Sequence, residues 1–525
     1  MNTGLCTNLP SQCSKAAARE AIPMPSPDST CPECGSRLQA VRNGGRKPLP
    51  LGLLLGGGAA ALAAAVVVWL AMSPSAKVAS RATVRPATVA AAPQAVAERL
   101  LTLAGSNTIG SSLAPELVKA WLGSKHATEM REEEVFKDGV PLPERRVTAM
   151  LDGKLVEVDV RAHGSSTAFT DLEAGTTDVG MSSRPIKDAE VTALARLGDM
   201  RRPSSEHVLA LDGVAVIVPT GNTIAKLSMA DLGRIFSGEA KTWSSFGGSS
   251  HPIKLYARDD RSGTYDTFKE LVLRGAPLAA SIRFEDSAEL EAAVSRDPDG
   301  IGFVGLPYIK TTRPVAVSDG AAAALEPTRF SVKTESYPLS RRLFLYTAAN
   351  PANPATGDFV GFALSSAGQA VVRSERFVDL DLTGRSQPEP QRQSSACRLS
   401  PHWTGDAQAY CHLRDGAEQL GTSFRFRPGS AELDTRATQD LRRVLERMEQ
   451  SPDKAIVLAG FADSSGSYAS NCALSRTRSK SVATALETLG LKVTETVGYC
   501  DELPVRDNAS LDGRELNRRV ELFLR

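Results

Sequence analysis

An uncharged apolar segment, Leu51 to Met72, constrains this chain more than any other feature of its sequence. No charged residue lies between Lys47 and Lys77, and the segment consists of Leu, Gly, Ala, Val, Trp and Met. A helix of about 20 such residues crosses the hydrocarbon core of a bilayer. We therefore predict a transmembrane helix over 51–72, with a buried core helix or a cleaved signal peptide as the alternatives.

The residues on either side of this segment favour an uncleaved anchor. Residues 1–50 are largely polar and too numerous for the short positive region of an ordinary signal peptide, so we expect a cytoplasmic tail. Residues 73–98 are rich in Ala, Pro, Val and Thr, a composition typical of an extended linker. Gly52 and Gly56 form a G-x-x-x-G pattern that predicts a homodimer through the helix, with chance occurrence in a Gly/Ala-rich span as the alternative.

The cysteines fall into two groups with none between them: Cys6, Cys13, Cys31 and Cys34 at one end, and Cys397, Cys411, Cys472 and Cys500 at the other. Cys31 and Cys34 enclose C-P-E-C, a spacing typical of zinc-binding turns, so the first group is a candidate structural zinc site. The second group is expected to form disulfides, with three pairings open. Because thiols persist in the cytosol and disulfides in the periplasm, this division places the bulk of the chain in the periplasm.

Charge and histidine content exclude several classes of function. The chain has 61 basic and 60 acidic residues, whereas a nucleic-acid partner would demand a basic excess. The six histidines are scattered singly, without the spacing of a metal site or a catalytic triad. We therefore expect a binding protein, not an enzyme. The length of 525 residues predicts roughly three to four folded units.

Residues 99–382 alternate short apolar strands with helical stretches. The strand-like GVAVIVP at Gly213–Pro219, for example, is followed by the helix-like MADLGRIF at Met229–Phe236. Such alternation predicts an α/β fold.

A Pro-, Gln- and Ser-rich break at Thr383–Ser395 separates this domain from the last one. We assign 383–420 to a linker. Of the three open pairings, the one that joins Cys472 to Cys500 and Cys397 to Cys411 places a disulfide loop in this linker. Residues 421–525 predict a compact α+β domain. Its predicted elements include helix Thr435–Glu449, strand Ala455–Phe461, helix Ser475–Leu489 and strand Arg519–Leu524.

Three segments of the α/β domain share one layout, in which an apolar strand runs into a Gly/Ser/Thr loop that opens a helix. These segments begin at Arg99, Val158 and Ile253. Each loop presents unpaired backbone N–H groups and hydroxyl donors, so three together can surround a tetrahedral oxyanion. The alternative for each loop alone is an ordinary helix N-cap.

Residues 99–382 resemble the type II periplasmic substrate-binding proteins of phosphate-specific ABC transporters. The resemblance lies in LDGVAVIVPTGNTIAKLSMADLGRIFSGEAKTW, TDVGMSSRPIKDAE, ARDDRSGTYDTF and GIGFVGLPYI. It implies two α/β lobes that close over phosphate. The implied phosphate contacts are Thr108, Ile109, Ser165, Ser166, Ser183, Arg258, Ser262, Gly263 and Thr264.

Ser183 departs from the family pattern, in which an aspartate at this position accepts the proton of hydrogen phosphate. A serine hydroxyl still accepts a proton, but without the negative carboxylate a fully ionised sulfate is repelled less. Phosphate is therefore the first choice of ligand, and another tetrahedral oxyanion is the alternative.

The C-terminal segment GFADSSGSYASNCALSRTRSKSVATAL and the terminal N-R-R-V-E resemble the OmpA-like peptidoglycan-binding domain. The resemblance implies that Asp463 and Arg478 hold the ammonium and carboxylate ends of diaminopimelate, with Asn471 in the same motif. Ala462 stands where the family usually has threonine. From these residues alone, an N-cap and two solvated charges are the alternative.

Together these features predict a single-pass inner-membrane protein whose periplasmic part binds phosphate and peptidoglycan, for phosphate capture or sensing. One alternative is a structural tether between membrane and cell wall whose middle domain no longer binds an anion. A second alternative, a phosphatase or other hydrolase, lacks a nucleophile, base and orienting group in any recognisable arrangement.

Overall fold

The computed structural model describes residues 3–6, 22–23, 31–32, 38–40, 97–137, 140–260, 262–385, 399–427 and 432–525. Residues 1–90 and residues 91–525 form two compact units. In the first unit, strands β1 (Thr3–Cys6), β2 (Ile22–Pro23) and β3 (Leu38–Ala40) form an antiparallel sheet in the order β2-β1-β3.

The predicted membrane anchor 51–72, with Gly52 and Gly56, lies outside the described residues. None of the helices in the described ranges is both long and apolar enough to cross a bilayer.

The predicted zinc site is only partly described. Cys13 and Cys34 lie outside the described residues, while Cys6 ends strand β1 and Cys31 is buried. Within the described part of the chain, no group of three or more His, Cys, Asp or Glu side chains is placed to hold a metal ion. Zinc binding by this tail stays a prediction.

The second unit begins with the α/β domain. Its strands are β4 Glu98–Gly105, β5 Thr128–Lys137, β6 Val140–Leu151, β7 Lys154–Arg161, β8 Val179–Ser182, β9 Glu206–Val218, β10 Lys226–Ser228, β11 Lys254–Arg258, β12 Ile282–Phe284, β13 Gly300–Gly305, β14 Arg313–Pro314, β15 Ala316–Ser318 and β16 Ser340–Tyr346. Its α-helices are α1 Asn107–Gly110, α2 Leu113–Ser124, α3 Ser165–Ala174, α4 Asp188–Ala193, α5 Met229–Phe236, α6 Gly263–Phe268, α7 Ser287–Arg296, α8 Arg329–Lys333, α9 Pro354–Leu364 and α10 Ser366–Ser374. Single turns of other helix types occupy Ala195–Leu197, Trp243–Phe246, Lys269–Leu273 and Leu306–Tyr308.

One mixed sheet runs through both lobes, in the order β12-β11-β13-β9-β16-β8-β4-β7-β6-β5, with β14 paired to β9. Strand β9 connects the lobes, because Gly213 and the residues before it pair with β16 while Val214–Ile217 pair with β13. Parallel pairing of β4 with β7 and β8 confirms the α/β prediction for this domain. The carboxyl ends of β4 and β8 therefore meet at one edge of the sheet, where ligands bind in such folds.

Each lobe has its own apolar core, and helices α5, α6 and α7 each start at a side-chain cap. The first lobe packs around Trp121 and Phe359, whose rings meet edge to face, and the second packs around Phe236 and Phe303. The predicted helix at Met229 forms because Ser228 Oγ accepts the N–H of Asp231 while the Asp231 carboxylate accepts the N–H of Ser228.

The C-terminal domain consists of β17 Gly384–Arg385, α11 Ala407–Gly416, β18 Glu418–Arg425, α12 Thr435–Glu449, β19 Ile456–Gly460, α13 Tyr468–Thr488, β20 Val493–Gly498, α14 Leu511–Asn517 and β21 Arg519–Leu524. Its sheet has the order β17-β18-β21-β19-β20, and β19 pairs in parallel with β20. This is the α+β arrangement that the sequence predicts.

Two described parts of the predicted linker 383–420 belong to the C-terminal sheet and its core. Strand β17 adds to the edge of the C-terminal sheet beside β18, and helix α11 packs on one face of that sheet. The physical reason is apolar burial, since Tyr410 and Leu413 of α11 join the same core as Phe461 and Tyr499.

The two domains of the second unit meet through a buried cluster of charges around Glu335. The Glu335 carboxylate of the α/β domain accepts hydrogen bonds from Arg342 at 2.9 Å and from Arg425 at 3.0 Å, and lies 3.2 Å from Arg436. Arg425 and Arg436 belong to the C-terminal domain. The side chains of Glu335, Arg425 and Arg436 are only 6%, 4% and 1% exposed.

A third buried arginine of the C-terminal domain extends this junction. Arg506 donates to the carbonyl oxygens of Ser336, at 2.7 Å, and Tyr337. Burial of a guanidinium group is costly unless it is paired, and the α/β domain supplies these acceptors. The C-terminal domain therefore contacts the segment Glu335–Tyr337, which precedes strand β16.

Candidate functional site

The first predicted loop follows β4 at the meeting point of the lobes. The N–H of Ser106 donates to the Met181 carbonyl at 2.8 Å, which fixes the loop against the end of β8. Ile109 is buried, whereas Thr108 is half-buried. Ser106 Oγ and Asn107 Oδ1 are buried and have no hydrogen-bond partner in the part of the chain that the structure describes. Unsatisfied buried polar atoms are costly, so this loop is suited to a polar ligand.

The second predicted loop, Ser165 with Ser166, lies beside the first. The N–H of Gly164 donates to the Gly105 carbonyl at 2.8 Å. Ser165 Oγ accepts the N–H of Ser183 at 3.0 Å and lies 3.1 Å from Ser183 Oγ. Ser183 is thus brought to the loops as predicted, and its hydroxyl already has a hydroxyl partner.

The third predicted loop comes from the second lobe and touches the first. Ser262 caps helix α6, with its hydroxyl accepting the N–H of Tyr265, and Thr264 is half-buried. A Cβ added to Gly263 would lie 2.9 Å from Thr108 Cα and closer still to its side chain. The lobes therefore approach each other at Thr108 and Gly263 more closely than any larger residue permits.

We expect Gly263→Ala to weaken oxyanion binding about 5- to 150-fold, because an added methyl group overpacks the lobe contact by about 1–3 kcal/mol. Titration calorimetry with phosphate measures the change. Gly361→Ala is the matched control, since a Cβ there meets nothing within 4 Å. Equal affinity of the two variants would show that binding does not need this contact.

Arg258, the arginine that the family resemblance assigns to phosphate, is held to its own lobe. Its guanidinium donates to the carbonyl oxygens of Phe284, at 3.3 Å, and Glu285, at 2.7 Å, and to the hydroxyl of Ser287. These acceptors lie at the end of β12 and the start of α7. Ligand contact by Arg258 stays a prediction, and these hydrogen bonds use three of the five N–H donors of its guanidinium.

Arg341, on strand β16, is the cation that joins the first and third loops. Its Nη2 donates to Thr108 Oγ1 and to the Gly263 carbonyl, both at 2.8 Å, and it is paired with the Asp212 carboxylate at 3.2 Å. Sequence reasoning missed Arg341 because it stands in SRRLF, which belongs to none of the quoted motifs. An arginine beside a motif residue in space, 233 positions away in sequence, leaves no local signal.

The second candidate site is the clamp in the C-terminal domain. Asp463 is buried and accepts the N–H of Ser465 at 2.8 Å and a hydrogen bond from Arg518 at 3.1 Å. Burial raises the pKa of the Asp463 carboxyl, but the Ser465 and Arg518 hydrogen bonds outweigh it and hold the pKa below its usual value. This carboxylate is therefore charged at neutral pH, as the capture of an ammonium group requires.

Arg478 lies next to Asp463. Its guanidinium donates to the Phe461 carbonyl at 3.4 Å and lies over the Phe426 ring, 5.7 Å from the centroid. Burial and the charge of Arg518 lower its pKa, while the attraction of Asp463 opposes them. The structure thus brings the two clamp charges together and adds Arg518, which sequence reasoning did not single out.

Asn471 has a supporting position in this region. It is 1% exposed, and its amide donates to the Asp501 carboxylate at 3.1 Å.

A Cys472–Cys500 disulfide, one of the pairings that the sequence leaves open, joins the first turns of α13 to the segment after β20. Cys411 is also disulfide-bonded, whereas Cys397 lies outside the described residues.

Comparisons with known proteins agree with this division of the chain. Residues 148–367 match the PBP superfamily domain, and residues 425–518 match the OmpA family. The phosphate-binding protein PstS of Staphylococcus saprophyticus is 32% identical over 283 residues, 51% of this chain and 86% of that protein. PstS of Pseudomonas aeruginosa is 33% identical over 245 residues, 43% of this chain and 75% of that protein.

Solved structures align with each domain. A possible phosphate binding protein from Planctomyces limnophilus is 24% identical with a TM-score of 0.43, covering 54% of this chain and 93% of that one. The peptidoglycan-associated lipoprotein from Burkholderia pseudomallei is 25% identical with a TM-score of 0.19, covering 20% of this chain and 89% of that one.

Proposed function

The chain belongs to the family of the phosphate-binding proteins PstS and continues into an OmpA family domain, and from this we propose that it captures or senses phosphate while attached to peptidoglycan. The observation that carries the proposal is the convergence of three Ser/Gly/Thr loops from two lobes. Their hydroxyl groups, their N–H groups and a buried arginine suit a tetrahedral oxyanion. Closure of the two lobes is the conformational change that signals phosphate binding.

The proposed location is the periplasmic side of the inner membrane. The apolar segment 51–72 anchors the chain as a single-pass helix, and the disulfide of the C-terminal domain suits an oxidising compartment. Pairing of two such helices through Gly52 and Gly56 makes a homodimer. The protein is a binding protein in this proposal, with no catalytic step.

Titration calorimetry of the full-length chain against phosphate, and separately against sulfate, tests this function. We expect saturable binding of phosphate, with sulfate competing better than in relatives that carry an aspartate at the position of Ser183. If neither anion binds, the middle domain is a spacer in a structural tether between membrane and wall. Turnover of a phosphoester would instead favour a hydrolase.

A further inference from the structure

We propose that Arg341 is a ligand-binding residue of the oxyanion site: its Nη1 group binds an oxyanion oxygen while its Nη2 group holds the loops of both lobes. This inference rests on the proposed function, because it assigns a further contact to the same site. Arg341 is thereby added to the predicted ligand contacts, although it lies outside the motifs that resemble phosphate-binding proteins.

The hydrogen-bond inventory of Arg341 is the first observation. A guanidinium has five N–H donors. Nε and Nη2 have acceptors in Asp212, Thr108 and Gly263, whereas Nη1 is buried and has no acceptor among the described residues. The side chain is 7% exposed. A buried charged donor without an acceptor is costly, so a ligand that supplies one is favoured.

The position of this unpartnered group is the second observation. Nη1 shares the guanidinium carbon with Nη2, which contacts Thr108 in the first loop and Gly263 in the third. Ser106 Oγ, on the same first loop, is also buried and has no partner within the described ranges. Two buried donors that lack an acceptor in those ranges therefore occur where the loops of the two lobes meet, and the hydroxyl of Ser106 can join Arg341 in donating to one anion.

The geometry of strand β16 explains why Arg341 suits this role. Ser340 and Arg341 pair with Gly213 and Asp212 of β9, at the point where β9 passes from one lobe to the other. Arg341 therefore lies on the strands that connect the lobes. Arg258, by contrast, uses three of its five donors on the segment from Phe284 to Ser287.

The Asp212 carboxylate sets the orientation of Arg341 but does not occupy all of the N–H donors of its guanidinium. It accepts from Nε at 3.3 Å and from Nη2 at 3.2 Å, which turns Nη1 away from the carboxylate. A bound dianion then meets a guanidinium whose remaining donors form charge-assisted hydrogen bonds.

The test is titration calorimetry of the full-length chain with phosphate and with sulfate, on wild type and on Arg341→Gln, Arg341→Lys and the control Arg296→Gln. We expect Arg341→Gln to lower affinity for both anions about 10- to 100-fold, since a charge-assisted contact is lost. Arg341→Lys keeps the positive charge without the planar guanidinium and is expected to lose about tenfold. Arg296→Gln removes a positive charge at an exposed position of α7 and is expected to stay within about threefold of wild type.

Each contrary outcome has a distinct meaning. Wild type that binds neither anion overturns the proposed function and this inference with it. Wild type that binds while Arg341→Gln binds equally well overturns the role of Arg341 alone. Equal losses in Arg341→Gln and Arg296→Gln would show an effect of net charge alone and also overturn it. If Arg341→Gln does not fold, Arg341→Lys is compared with Arg296→Gln, and equal affinities of these two variants overturn the role of Arg341.

Discussion

Glu335→Gln is expected to lower the free energy of unfolding of the full-length protein by about 3–5 kcal/mol, the cost of removing one partner from a buried ion cluster. The substitution preserves the shape of the side chain but leaves three guanidinium groups, of Arg342, Arg425 and Arg436, without their common counter-charge. Differential scanning calorimetry measures the loss. The exposed residue Glu487 provides the control Glu487→Gln, which is expected to change stability by less than about 0.5 kcal/mol.

The loss of stability caused by Glu335→Gln is expected to depend on pH. Burial raises the pKa of the Glu335 carboxyl, but the charges of Arg342 and Arg436 outweigh it and hold that pKa well below its usual value. The stabilisation is therefore complete above the ordinary glutamate pKa of about 4.3 and is lost as pH falls toward the depressed folded-state pKa. The stability difference between wild type and Glu335→Gln should narrow on acidification. A difference that is constant between pH 7 and pH 3 would contradict the charge argument.

Asp463→Asn and Arg478→Ala are each expected to abolish sedimentation of the protein with diaminopimelate-type peptidoglycan. Each removes the counter-charge for one end of a zwitterion, and the double variant should be little worse than either single one. Asp453→Asn, at an exposed position of the same domain, is the matched control. If both single variants sediment as wild type does, the domain does not use this clamp.

The stability of these variants needs its own measurement. From the motif alone we expected both clamp side chains to be largely exposed, but Asp463 is buried against Arg518 and Arg478 is half-buried. Asp463→Asn therefore also weakens a structural pair. Thermal denaturation of each variant separates loss of binding from loss of the folded domain.

Local patterns predicted the elements of this fold well. Helix Thr435–Glu449 and strand Arg519–Leu524 lie where apolar periodicity places them. Helix α13 begins at Tyr468, earlier than the predicted Ser475, because Ser467 caps it and Gly466, at φ 89°, turns the chain just before. Because that first turn contains mostly polar residues, apolar periodicity did not indicate where the helix begins.

The parts that sequence reasoning missed are contacts between distant residues. The loops containing Thr108, Ser165 and Ser262 each carry a local signature, so their position at the site was predictable. Arg341 and Arg518 carry none, because each acquires its role from a partner on another element. No local pattern predicted the Glu335 cluster either, since Arg425 lies 90 positions from Glu335 in the sequence.

Because of the Glu335 junction, neither of the two domains can easily be exchanged for the corresponding domain of another protein. An OmpA family domain taken from another protein would fit here only if it carried arginines at the positions of Arg425 and Arg436. Without them a chimera would bury an acid against only one of its three bases, and Ser336 and Tyr337 would lose the donor that Arg506 supplies. The two domains therefore fit each other as a matched pair, and a charge-removing substitution on one side of their contact calls for a compensating one on the other side.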